Sequence, residues 1–186
     1  MRVVHFFSRV ESGFPIGEKI AYFIRSSRTT SNFPIVNPMD SISYYIQVIE
    51  KAIAQIGLNP DTAKVEENQW TLKKGSVQIW VELYTFQNRV YFQVVAPIME
   101  VPATKTGELA IELLKLNNEL FGVAYVIYND RVYLKSVREA EGLDISEAFS
   151  TLLRVGNYAD KYDDMLKEKY PDTKPGNLQF VSLNLN

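Results

Sequence analysis

Cysteine is absent from the 186 residues, and histidine occurs once, at His5. The first absence excludes disulfides, thiolate metal sites, a cysteine nucleophile and thiol redox switching, and it points to a reducing, cytoplasmic setting. The second leaves any Ser-His-Asp arrangement to be built on one side chain near the terminus, with nothing to orient it. A half-buried or frayed side chain is the simpler expectation for His5. A His/Cys ligand set for zinc is missing too, as are a GxxxxGK[ST] loop and a GxGxxG following a strand. No apolar run reaches the roughly 18 residues that a membrane span needs. The opening stretch, Met1 to Arg9, has too short an apolar core for a secretory signal. Together these absences predict no enzyme, no cofactor, no metal and no membrane partner.

What is present is ordinary globular composition, 46% hydrophobic and 23% charged, with a net charge of −2. The charge is uneven. Residues 1–38 hold five basic groups (Arg2, Arg9, Lys19, Arg25, Arg28) and two acidic ones (Glu11, Glu18), whereas the remainder holds 15 basic and 20 acidic groups. The main body is acidic, so nucleic acid is not an expected partner; phosphate binding usually needs a basic stripe. Residues 1–39 read as an N-terminal extension, residues 40–170 as the domain, and residues 171–186 as a tail in which Leu178 to Leu185 could form a strand. Met39 sits just before the first strong helix and is a candidate native start, which sequencing the native N-terminus decides.

Within the domain, periodicity predicts α+β order: α-βββ-α-ββ-α. Asp40 or Ser41 is expected to cap a helix whose apolar stripe is Ile42, Tyr45, Ile46, Ile49, Ile53 and Ile56. Gly57 and Asn59-Pro60 end it. Three strands follow, at Trp70 to Lys73, Val77 to Tyr84 and Val90 to Ile98, with Pro97 and Pro102 ending the third. Thr104 or Thr106 is the expected cap of a second helix. Its Leu109, Leu113, Leu116 and Leu120 form one stripe, which Ile111 and Leu114 widen, as if buried on a second side or at a partner. Val123 to Tyr128 and Arg131 to Val137 flank Asn129-Asp130, a hairpin signal. Asp144 with Glu147 resembles a capping box opening a long helix to about Tyr170, in which Gly156 and Ala159 leave room for a close approach.

Alternation along the second and third strands puts Trp80, Tyr84, Tyr91 and Val95 on the face opposite the main core, an aromatic surface where a solvated face would be polar. These four, with Leu114, are the candidate partner-binding residues, since Trp and Tyr serve as interface anchors. A sheet covered by helices on both faces would carry the same pattern. Arg154, Asn157 and Asp160, at three-residue steps on the last helix, are a candidate polar patch for a small ligand or a reaction. Asp160, Asp163 and Asp164 could hold a hard cation, but a solvated helix face with Lys161 and Lys167 as charge partners is the simpler expectation.

Several strings carry a family resemblance: Gly57-Leu58-Asn59-Pro60-Asp61, Trp70 with Gly75-Ser76-Val77-Gln78-Ile79-Trp80, and Tyr91-Phe92-Gln93-Val94 with Ala96-Pro97. Leu116-Asn117, Leu120-Phe121-Gly122-Val123-Ala124, Val132-Tyr133-Leu134-Lys135 and Arg154-Val155-Gly156-Asn157-Tyr158-Ala159-Asp160 continue it. Over residues 40–170 the chain resembles the YbjN-like family, most of all its cyanobacterial members. The resemblance implies a type III secretion chaperone-like fold, a five-stranded antiparallel sheet with packed helices, frequent homodimers and no enzyme activity. A protein-binding or chaperone-like adaptor is the function it implies, by analogy of fold.

Overall fold

A computed structural model of the chain describes residues 38–171, with side chains from residue 42 onward. The expected extension and tail, and with them His5, Met39's side chain and the candidate strand at Leu178 to Leu185, lie outside the residues so described. In chain order the elements are α1 (Pro38–Gln55), the single turn α2 (Pro60–Ala63), β1 (Lys64–Glu66), β2 (Gln69–Lys74), β3 (Val77–Phe86), β4 (Arg89–Glu100), α3 (Thr106–Asn117), β5 (Ala124–Tyr128), β6 (Arg131–Glu139) and α4 (Ile145–Lys169). The strands form one antiparallel sheet in the order β1-β2-β3-β4-β6-β5.

The sheet has six strands, one more than expected. The addition is β1, three exposed residues with an irregular register against β2. Lys-Val-Glu has no alternation long enough to stand out in sequence. Pro97 also does not end its strand. β3 pairs with β4 only up to Val95, so at Pro97 the neighbour on that side has gone, and a bulge between Pro97 and Met99 adjusts the ladder to β6. A residue without an N–H is tolerated where no ladder bond is asked of it. Two capping expectations change as well. Helix α1 begins at Pro38, ahead of Asp40 and Ser41. Helix α3 is capped by Lys105 in a left-handed conformation with no side-chain cap bond, while the Thr106 hydroxyl donates to the Pro102 carbonyl at 3.0 Å.

Other local chemistry matches its sequence signals. Asn129 and Asp130 both take positive φ (47° and 56°) between β5 and β6, and Gln87 and Asn88 do the same between β3 and β4. Asp144 Oδ1 accepts the Glu147 N–H at 2.8 Å. The Glu147 carboxylate pairs with Arg138 instead of reaching back, so only half of the capping box forms.

The main core lies on one face of the sheet. Cross-strand rows such as Trp70–Val81–Val94 and Leu83–Phe92 present it. Ile49 and Ile53 of α1, Leu109 and Leu113 of α3, and Leu152, Val155 and Leu166 of α4 fill it. At Gly156 helix α4 packs closely on the sheet: a Cβ there would lie 3.1 Å from the Ile79 side chain. The small residues in α4 implied the approach of another backbone; at Gly156 it is the side chains of Ile79 and Lys74 that come close.

Candidate functional site

The second sheet face is built by register. Trp80 pairs with Val95, which pairs with Lys135; Glu82 pairs with Gln93; Tyr84 pairs with Tyr91. Trp80, Val95 and Tyr133, with Val126 packed against them, form an apolar cluster separate from the main core, and among the described residues it consists of strand residues alone. The Trp80 and Tyr133 rings lie 6.3 Å apart, and Tyr84 stacks on Tyr91 at 5.4 Å. Between the two aromatic groups runs a polar row, in which the Glu82 carboxylate accepts from Gln69 Nε2 at 3.0 Å and from Gln93 Nε2 at 3.4 Å. Burial pushes the Tyr84 and Tyr133 hydroxyls above the usual tyrosine range. It pulls the Lys135 ammonium below the usual lysine range, with Glu82 opposing that shift.

Of the five candidate partner-binding residues, Trp80 and Val95 are 2% and 1% exposed, Tyr84 is buried and Tyr91 is half-buried. Leu114 is different, with 69% of its surface in solvent. Ile111, one turn before it on α3, is also exposed, as is Phe121 just beyond the helix. The widened stripe of α3 is therefore not buried on a second side within the described domain: Leu109, Leu113 and Leu116 face the core, and Ile111 and Leu114 face out. An adjacent pair of large apolar side chains on one helix face is the kind of surface that marks a contact site.

The polar patch does not converge. The Arg154 guanidinium lies over Gly122, ahead of β5, and a Cβ at Gly122 would meet its Nη1 at 2.6 Å. Asp160 instead lies over Gly75 in the β2–β3 turn, where a Cβ would collide with its carboxylate. Both glycines hold positive φ, 66° and 55°. Each is thus constrained twice, by backbone conformation and by the helix side chain above it. Asn157 is exposed, and among the described residues no hydrogen bond or ion pair joins the three. Gly122→Ala is expected to cost about 1–2 kcal/mol from the left-handed backbone alone, read as a shift in the urea midpoint at constant slope.

The acidic cluster divides in the same way. Asp163 is 1% exposed, so the solvated-face reading does not apply to it. Its Oδ2 accepts from Ser76 Oγ at 3.0 Å and from Lys167 Nζ at 2.7 Å, which ties α4 to the β2–β3 turn. Asp160 and Asp164 are exposed, and among the described residues no group of three or more acidic or imidazole side chains is placed to hold a metal. Sequence pattern did not foretell the Glu82 row, the Tyr133 contact or the burial of Asp163. All three follow from cross-strand register or helix rotation against the sheet.

No curated protein matches the chain in sequence. Solved structures do match its fold. The structure of the ExsC-ExsE complex aligns with a TM-score of 0.51 at 16% identity, covering 67% of this chain and 95% of that one. The HopA1-SchA chaperone-effector complex aligns with a TM-score of 0.51 at 8% identity, covering 67% and 96%. YbjN from E. coli aligns with a TM-score of 0.46 at 12% identity, covering 70% and 96%. At these identities the likeness to the first two is one of fold. Residues 45–171 also match the model of the peptide-binding chaperone family that unites type III secretion chaperones (YopN, CesT) with YbjN, and the chain belongs to that family.

Proposed function

We propose that this protein is a non-catalytic, peptide-binding chaperone or adaptor that works in the cytoplasm as a homodimer. The family match over residues 45–171 carries the reading. The chaperone-effector complex among the structural neighbours is consistent with it. The site chemistry agrees: Asp163 ties α4 to the β2–β3 turn, while Arg154 and Asp160 lie apart over Gly122 and Gly75. Cytoplasmic placement is supported by the complete lack of cysteine. No described helix is long and apolar enough to cross a membrane.

The proposed dimer contact is α3. Glu108, Ile111 and Lys115 recur at helical spacing on its exposed face, beside Leu114. Two copies related by a two-fold axis, with their α3 helices antiparallel, bring Glu108 of one toward Lys115 of the other and bury Ile111 and Leu114 between them. A two-fold interface must be self-complementary in this way. The proposal thus rests the contact on Leu114. Trp80, Tyr84, Tyr91 and Val95 serve the packing of the second sheet face.

Binding to an immobilised array of random fifteen-residue peptides tests the peptide reading. Reproducible capture of a subset, unchanged in the Asn157→Ala variant of the exposed patch, is the expected result. A protein that captures none of them would sink it.

A further inference from the structure

The two faces of the sheet are closed in different ways. Helices α1, α3 and α4 pack their buried apolar residues into the main core, and none of those residues joins the second-face cluster. Trp80, Val95 and Tyr133 are nevertheless 2%, 1% and 3% exposed, although the described residues clustered with them all lie on strands. A sheet face bare to water does not shield a tryptophan to that degree, because neighbouring strands flank a side chain without roofing it. Trp80, Glu82 and Lys135, which share this face, each make a further interaction beyond those named above. The face therefore has a cover. These are the exposures of a single chain, so a second copy is not needed to provide it.

We propose that the cover is this chain's own C-terminal tail, residues 172–186, docked as a strap with Phe180 against the Trp80–Tyr133 pair. The tail has the chemistry for it. From Pro175 to Asn186 it carries no ionisable side chain, and Leu178, Phe180, Val181, Leu183 and Leu185 are interspersed with Asn, Gln and Ser. Phe180 is its one aromatic ring, and rings favour one another's edges and offset faces. The carboxamides suit the polar row of Glu82 and Gln93, which an all-apolar cover would leave unanswered. The tail also has the reach. Lys169, the last residue of α4, pairs with Glu112 of α3 at 2.9 Å. The end of α3 is in turn fixed to the outer strand β5: the Tyr125 N–H donates to Asn117 Oδ1 at 2.6 Å, and Asn117 Nδ2 donates to the Tyr125 carbonyl at 3.3 Å. The chain thus leaves α4 on the side of the domain where the sheet ends. Passing from the helix layer round to the second face takes two layer spacings of about 10 Å, and reaching β6, where Tyr133 stands, one strand spacing of about 5 Å. The ten steps from Tyr170 to Phe180 span up to about 33–36 Å, which is enough. The tail lies beyond residues 45–171 that match the family model, so the strap is an addition to the shared domain. It closes an aromatic face that would otherwise be a site of indiscriminate association.

Acrylamide quenching of tryptophan fluorescence in the full chain reads the cover, with Trp70, fully buried in the main core, as the shielded reference. Phe180→Asp sets a charge against the apolar cluster and is expected to raise quenching several-fold. Adding Trp80→Phe should abolish that rise. Phe180→Ala brings no charge, moves quenching in the same direction, and replaces Phe180→Asp should circular dichroism show the latter unfolded. Quenching that stays at the wild-type level in the folded variants overturns the proposal. So does a rise in a Phe6→Asp, Phe7→Asp double variant that Phe180→Asp does not reproduce, which gives the face to the N-terminal extension. A rise on diluting the wild-type protein overturns it too, since it gives the face to a second copy.

Discussion

Leu114→Asp is expected to convert the proposed homodimer to a monomer, and Ile111→Asp to do the same. Each places a charge in the centre of the proposed α3 contact, where a buried anchor is worth about 2–4 kcal/mol, so the dissociation constant rises on the order of 100-fold. The fold itself should hardly notice. Leu114 is 69% exposed in the protomer, and surface changes of this kind alter stability by about 0.5 kcal/mol or less. Light scattering on a size-exclusion column reads the mass, and urea unfolding of the same samples reads the stability. A charge-swap control sharpens the geometry. Glu108→Lys should weaken association, and adding Lys115→Glu should restore part of it, because antiparallel two-fold packing sets position 108 against position 115. A wild-type protein that elutes as a monomer at every concentration contradicts the α3 dimer.

Phe92→Ala is expected to give the largest loss of stability, about 3–5 kcal/mol. Phe92 is 1% exposed, sits mid-strand in β4 and faces the helix-covered core beside Leu83. Emptying that position leaves a cavity that β3 and β6 on either side cannot close without breaking register. For a domain whose total stability is about 5–15 kcal/mol, this is a large fraction. The melting temperature should fall by roughly 6–20 °C for a chain of this size. Differential scanning calorimetry checks it, and a drop under a few degrees would mean that β4 is not the centre of the core.

The order of elements was legible because each carries its own period. Ile49 and Ile53 repeat at helical spacing and are both fully buried. Val77, Ile79, Val81 and Leu83 alternate and all face the same core. Turn chemistry was equally local, as Asn129-Asp130 demonstrates. What sequence pattern could not supply was anything that depends on two distant segments meeting. β1 was missed because three residues show no alternation, and its pairing to β2 is a matter of register. Pro97 was read as a strand end because its own chemistry says so; that β3 had already diverged there is a property of the sheet.

The candidate sites divide along the same line. Leu114 stood out because it lies on a helix whose apolar width exceeds one face, a local signal. Arg154, Asn157 and Asp160 share a helix and a spacing, which made them look like a patch. The sheet beneath then drew Arg154 to Gly122 and Asp160 to Gly75. The strings Gly75-Ser76 and Gly122, far apart in sequence, thus belong with the last helix because its side chains need those glycines underneath. Asn117 was invisible as anything but a helix-end residue until β5 was placed beside it.

Calorimetric titration of the wild-type protein with its best-captured array peptide tests the central claim most directly. The account predicts saturable binding at one peptide per protomer, with a negative heat-capacity change from apolar burial. Heat that does not saturate, or that shows no temperature dependence of the enthalpy, would contradict a peptide-binding chaperone.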